Sequence, residues 1–412
     1  MGKPSRGVRE AQGHMMKLAY MCEDKGLEAH PDKTCYILCK GSSKDKANME
    51  RQLEEEPLVF GEFVMRRSEC EKYLGQQLHQ DGAGASVAAT VASRAGKFKG
   101  AVFEVKSVIE EYSMAVMGPM VAAKTLLERA LIPSLLSGCG NWVEMTRKVE
   151  EECDNLLCLF WRAMLAVPEG TPRIALFAET GTMRTKWRVW REKVLLVRRI
   201  QEQEVTALAR RVYKEQVKHA WPGLAKEVAE ICEKVKIEDV NHKRVQKAVI
   251  VDAIFINHYA DMKKEMEKYS KMEGIRHEDF RSEQSYMKDK SIEDIRRQFR
   301  MRTQLVETFR DNFRNKYRTL PRGEEDEDPG LQCGDCEESR DTQAHCLVCP
   351  AWQVAREGLN LNFVEDMVIF FRRVLEGREE SREEQRVRKR RQREEEAAET
   401  AELRRGEKGR RG

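Results

Sequence analysis

Hydrophobic positions recur at intervals of three and four through most of the chain, the period of helices that bury one face. The first such run covers Gly7 to Lys25, with Met15, Met16, Leu18, Ala19 and Met21 as its apolar residues and Gly26 as its stop. The pattern then changes. Cys35-Tyr36-Ile37-Leu38-Cys39 is a short unbroken apolar run of strand character. Ser42 to Glu56 is polar and reads as a loop or short helix, and Leu58 to Met65 and Lys72 to Leu78 read as two further short strands. From about Ala85 the helical period returns, marked by Val91, Phe98, Val102, Val105 and Ile109, and it is repeated over Ala122 to Leu136. A third helix, Glu150 to Leu165, carries Leu156, Leu157, Phe160, Trp161 and Met164 on one face, and a turn at Pro168 to Pro172 follows it. Thr185 to Val217 is a long amphipathic helix or a helix pair, stopped by Trp221-Pro222-Gly223. Residues 224–317 are helical and heavily charged, 323–329 form an acidic linker, 363–375 an apolar helix, and the chain beyond Arg378 is almost wholly Arg, Lys and Glu.

Composition agrees with this pattern. Charged residues make up 35% of the 412, hydrophobic ones 41%, and only 11 prolines interrupt them, which favours long solvated helices over sheets. The expected fold is mainly α, with a small α+β part at the front. The changes of pattern mark off 1–84, 323–376 and 377–412, with the helical stretch 85–322 between them. A net charge of +4 does not by itself call for a nucleic-acid partner. No apolar run reaches the roughly 18 residues of a membrane span, and Met1 to Glu10 has no apolar core behind it. The chain is expected to be intracellular, nuclear or cytoplasmic, with no membrane partner. Its 12 cysteines are then thiols or metal ligands. There is no Gly-rich phosphate loop, Gly-x-Ser-x-Gly or His-Glu-x-x-His, so a hydrolase or nucleotide switch has no basis.

One motif carries metal chemistry. Cys333, Cys336, His345 and Cys349 follow the spacing Cys-x2-Cys-x8-His-x3-Cys. Two thiolates in a tight knuckle and a His and Cys four residues apart supply four ligands suited to tetrahedral zinc. With all four positions filled by protein, the zinc is expected to be structural. Cys346 is an alternative to His345 as third ligand.

Several stretches, in their order and spacing, resemble the rear part of a reverse transcriptase of the non-LTR retrotransposon type. Gly26-Leu27-Glu28-Ala29-His30-Pro31-Asp32-Lys33-Thr34 resembles the segment where a palm helix turns into a strand. Lys72-Tyr73-Leu74-Gly75 resembles the hairpin that grips the primer. Arg94-Ala95-Gly96-Lys97-Phe98 and Leu131 to Gly138 resemble two helices of the thumb, with Trp142 downstream. Pro172 to Gly181, with Glu179-Thr180-Gly181, resembles the region after the thumb, and the Cys/His module with Pro350-Ala351-Trp352 resembles the C-terminal finger. The resemblance implies a palm remnant over 1–84, a helical thumb over 85–200, a charged helical extension over 201–322 and a zinc finger with its helix over 323–376, derived from an RNA-directed DNA polymerase.

The same resemblance implies that this chain lacks the chemistry. In that family three carboxylates hold two Mg²⁺ ions, two of them in a Tyr-x-Asp-Asp turn. No acid before Lys33 stands in an Asp-Asp pair within an apolar strand, so Mg²⁺ is not expected and the chain is not expected to be an enzyme on its own. RNA or DNA binding is the function left. Its candidate residues are Lys33, Tyr73 and Gly75, the lysines Lys97, Lys99, Lys106 and Lys124, and the cluster Arg388-Lys389-Arg390-Arg391. Phe160, Trp161, Trp187 and Trp190 lie at helical spacing and are expected in the core, not as base-stacking surfaces. The competing reading is a scaffold of charged helices stapled by zinc and indifferent to nucleic acid.

Overall fold

The computed structural model describes residues 4–39, 43–111, 118–237, 246–269, 282–288, 291–303 and 349–359, with 369, 370, 373, 374 and 377. The chain divides into two compact units, one of residues 1–268 and 278–290, the other of 269–277 and 291–412. The described residues are mainly helical, as the periodicity predicts.

The first unit opens with α1 (Pro4–Asp24), whose inner face joins Leu38, Leu53, Leu58, Phe60 and Met65 in a small core through Val8. Gln12 ties this helix to the next layer. Its amide donates to Val59 O at 2.9 Å and accepts from Val59 N at 2.8 Å, standing in for a neighbouring strand. The apolar run at 35–39 forms only a two-residue strand, β1 (Cys35–Tyr36), paired in parallel with β4 (Arg66–Arg67). Helix α2 (Ser43–Glu55) lies between them in sequence, where a loop or short helix was expected. The strand expected over Leu58 to Met65 is instead a tight hairpin of β2 (Val59–Phe60) and β3 (Phe63–Val64). Gly61 at its tip has φ 60, which a side chain would resist. A second hairpin, β5 (Cys70–Tyr73) and β6 (Gln76–His79), follows.

The helices come next: α3 (Ala83–Glu111), α4 (Pro119–Leu126), α5 (Ile132–Leu136) and α6 (Arg147–Leu165). Between α4 and α5 one wide turn, Leu127–Leu131, is closed by Ile132 N donating to Leu127 O. It lies just before Pro133, which has no N–H to give the preceding turn. Thr146 caps α6 by accepting from Val149 N, and Ala166 ends it at φ 49. Helix α6 and α7 (Arg173–Thr180) share a core that holds Phe160 and Trp161 edge to face at 5.1 Å.

Thr185 to Val217 is a helix pair, α8 (Thr185–Glu202) and α9 (Leu208–Lys218). With α10 (Leu224–Val235) and α11 (Lys247–Met266) it encloses a core running from Met183 to Ile254. This core draws residues from both sides of residue 200, where the resemblance implies that the thumb-like part ends. Trp187 belongs to it, as expected of its spacing, while half-buried Trp190 packs against it.

Charged groups pin the α6–α8–α11 junction. Asp154 accepts from Thr185 N at 2.8 Å and from Arg184 at 3.1 Å, and Arg184 also pairs with Glu265. Burial pulls the Arg184 guanidinium down, but these two carboxylates outweigh it and hold its pKa above the usual value. The ring of His258, almost fully buried, accepts from Arg184 N at 3.3 Å. Arg188 grips Glu128 of the wide turn with two bonds of 2.8 and 2.6 Å.

Segment 282–288 returns to this unit and seats on the Glu179-Thr180-Gly181 corner. Gln284 N donates to Glu179 O at 3.0 Å and Tyr286 Oη to its carboxylate at 2.8 Å, while Lys124 pairs with Glu283. Gly181 has φ 59, and a Cβ there would come within 2.3 Å of the Ser282 backbone.

The second unit contains α12 (Ile292–Arg302), which buries Ile295 and Phe299. It also contains a one-turn helix, Pro350–Trp352, running into Gln353–Arg356. No helix among the described residues is long and apolar enough to cross a membrane.

Candidate nucleic-acid interface

The β5–β6 hairpin turns in two residues, with Tyr73 opposite Gln76. Leu74 has φ 46 and Gly75 φ 81, the left-handed pair of a type I′ turn. Glycine, asparagine or aspartate usually fills the first of these positions. Leucine costs about 1–2 kcal/mol there. The side chain wins nothing back by burial, since Leu74 is 86% exposed and Tyr73 62%. An apolar tip is thus held out in water in a strained backbone.

Three devices hold the hairpin. Gln77 N and His79 N, on the free edge of β6, donate to Thr90 Oγ1 and Ser86 Oγ of α3, both at 2.8 Å. Gln76 reaches Gly138 O at 3.4 Å. The third is Arg94 of α3. Its guanidinium donates to Gly75 O at 2.7 Å, Leu135 O at 2.8 Å and Ser137 O at 2.9 Å, and lies 5.9 Å from the Trp142 ring centre. The two carbonyls at the end of α5 have no helical partners of their own, so one cation caps that helix and fixes the turn. Burial pulls the Arg94 pKa down.

The expected site residues are only partly brought together. Tyr73 and Gly75 share the tip, and Lys97 is exposed one turn beyond Arg94 on the same face of α3. Lys99 is also exposed but about 200° around the helix, so it forms no common patch with Lys97. Lys33 is exposed in the one-turn helix Pro31–Lys33 and shares no hydrogen bond or ion pair with the hairpin among the described residues. Lys106 and Lys124 are not open cations. The first pairs with Glu110 at 3.8 Å and the second with Glu283 at 2.5 Å, because each has a carboxylate in reach on its own or a packed segment. Arg388, Lys389, Arg390 and Arg391 lie outside the described residues.

Of the metal ligands, Cys333, Cys336 and His345 also lie outside the described residues. Cys349 is fully buried just before Pro350–Trp352, and its carbonyl accepts from Trp352 N at 3.1 Å and from Arg356 at 2.8 Å. Among the described residues no group of three or more His, Cys, Asp or Glu is placed to hold a metal ion. The thiols of Cys139 and Cys158 are each pushed up to about 12 by burial, and that of Cys153 is pushed up further, so they act as core residues.

Arg94 was legible only as part of a thumb-like stretch, because its partners are backbone carbonyls 19 to 43 residues away. Compared with models of protein families, with curated proteins and with solved structures, the chain matches none.

Proposed function

We propose that this chain is a non-catalytic piece of a reverse transcriptase of the non-LTR retrotransposon type, comprising palm edge, thumb and Cys/His finger, that binds RNA or DNA. The observation that carries this reading is the strained hairpin tip. Leu74 and Tyr73 are exposed where burial cannot explain them, while Arg94 fixes the turn against the helices next to exposed Lys97. A tip held at such cost is best explained by contact with a partner, since strain persists where the surroundings over-determine it and function uses it. Cys333, Cys336, His345 and Cys349 would hold one zinc, which would close the C-terminal finger as a structural staple. The buried thiol of Cys349 is compatible with a ligand in that set.

The test is RNA and DNA binding by the whole chain across a salt series, alongside primer extension with Mg²⁺ and nucleotides on an RNA template. Binding that weakens steeply with salt, with no extension, is expected. Absence of binding even at low salt would favour the scaffold reading. Extension by protein free of other polymerases would overturn the non-catalytic assignment.

A further inference from the structure

Helix α9 closes in an unusual way. Ala220 sits at φ 49, its N–H donates to Val217 O at 3.3 Å, and Trp221 N donates to Gln216 O at 3.1 Å. These are the two bonds of a closure that ordinarily places glycine in the left-handed position, and alanine is sterically disfavoured there. The closure lays the Trp221 indole on the His219 ring, with centroids 5.2 Å apart and planes 20° from parallel. His219 is held in turn by Glu215, Nε2 to Oε2 at 3.2 Å. Pro222 follows and keeps the helix from resuming. In such closures the apolar residue after the helix ordinarily packs back onto it, yet Trp221 remains 52% exposed. One face of a supported aromatic stack is therefore open to water.

The same helix carries Arg211, Lys214 and Lys218, spaced three and four apart, so they line up along one face over roughly 10 Å. All three are exposed, and none has an ion pair among the described residues. The face they share is turned away from buried Tyr213. Glu215, the acid among them, is engaged by His219. A row of open cations thus ends at a stacking surface.

Resting on the nucleic-acid reading above, we propose that this end of α9 is a second contact site, for single-stranded RNA or DNA, with phosphates along Arg211, Lys214 and Lys218 and a base stacked on Trp221. Both features are needed to choose this ligand. An acidic peptide would use the cations and leave the indole without a role. A duplex would offer phosphates but keep its base faces covered, whereas every unpaired base has a π face to stack. The site makes no demand on base identity, because neither feature reads base edges.

The experiment is fluorescence anisotropy of labelled oligo(U) and oligo(dT), and of a duplex of the same length, with the full chain across a salt series. Single strands should bind more tightly than the duplex. W221A should weaken single-strand binding roughly five- to 150-fold, while W221F keeps most of it. The triple variant R211A/K214A/K218A should reduce the slope of log affinity against log salt by about 2, at about 0.7 per phosphate contact. All three cations are exposed, so this variant remains informative if W221A fails to fold. If the parent binds and both variants bind like it, the second site is wrong while the general reading stands. Duplex binding as tight as single-strand binding likewise overturns the stacking role. If the parent binds no nucleic acid at all, both proposals fall.

Discussion

Two residues show how local environments set measurable properties. His258 is buried beside Arg184 and Arg188, and burial first, then these cations, lower its pKa to about 4 from 6.5. In the unfolded chain the ring takes up a proton as pH falls through about 6.5, whereas the folded chain resists until about pH 4. The unfolded state therefore binds more protons across that window, and stability falls as pH is lowered from 6.5 to 4. The loss attributable to this ring is on the order of 3 kcal/mol. Urea midpoints measured at pH 7 and at pH 4.5 should lie closer together in H258Q than in the parent. An equal separation would show that His258 titrates normally. Leu74 makes the opposite case, a residue whose backbone alone is strained. Leu74→Gly should raise stability by up to about 1 kcal/mol, because glycine removes the left-handed penalty and no buried contact is lost. The same change should weaken RNA binding if the tip touches nucleic acid. A variant with unchanged thermal midpoint would mean that the turn relaxes at no cost.

Elements are joined here by single side chains that bridge distant backbone. Arg94→Ala removes three hydrogen bonds from one guanidinium and should cost roughly 2–4 kcal/mol, given that bonds to a charged group contribute about 1.5–3 each and share one desolvation. Hydrogen exchange should rise in Gln76–His79 and Leu135–Ser137 together. Arg94→Lys should not restore protection, since one ammonium cannot span three carbonyls set in a fork. Faster exchange in the hairpin alone would show that α5 does not depend on Arg94. The proposed zinc site at Cys333, Cys336, His345 and Cys349 offers a second test at this scale. If that proposal holds, about one zinc should accompany each chain, and C333S should release it and unfold the surrounding residues, since metal binding would there be folding energy. Well-folded protein without zinc would remove the finger from the account.

The same elements show what a sequence can and cannot reveal. The helical repeat located α1, α3 and α6 to within a few residues and the start of α8 but not its end, although in α1 the expected apolar residues Met16, Leu18 and Met21 are exposed and Val8, Ala11, Met15 and Ala19 face the core. Leu58 to Met65 read as one strand because its alternation is too short to expose a reversal, and Gly61 was the only signal of one. Ala122 to Leu136 read as a single helix because a widened turn leaves the apolar spacing almost unchanged, with Pro133 as the sole clue. Trp221 read only as part of a helix stop. Its stacking on His219 depends on a left-handed Ala220, which no residue type announces. The Arg94 clamp and the neutralisation of Lys124 by Glu283 are tertiary facts, set by segments up to 159 residues apart. The ligand spacing at Cys333 to Cys349 was read from sequence alone, and only Cys349 lies among the described residues.

For the whole molecule, net charge predicts little. A balance of +4 spread over 74 basic and 70 acidic side chains is screened within roughly 8 Å at physiological salt, so open local cations decide where a polyanion settles. That favours Lys97, and the α9 row, over lysines with carboxylate partners. The division into units has a further consequence, which lies in the path of the chain. The backbone leaves the first unit after Lys268 and comes back for residues 278–290 before leaving again. The first unit is therefore not a contiguous stretch, and a cut at Lys268 would not release it intact. A fragment ended at Lys268 would leave Gly181 uncovered, Glu179 without Tyr286 and Lys124 without Glu283, whereas one ended after Lys290 would keep all three. A gene-level boundary placed by eye at the end of α11 would fall on the wrong side of its own structural closure, and a pair of expression fragments differing by those 22 residues would reveal it in their solubility.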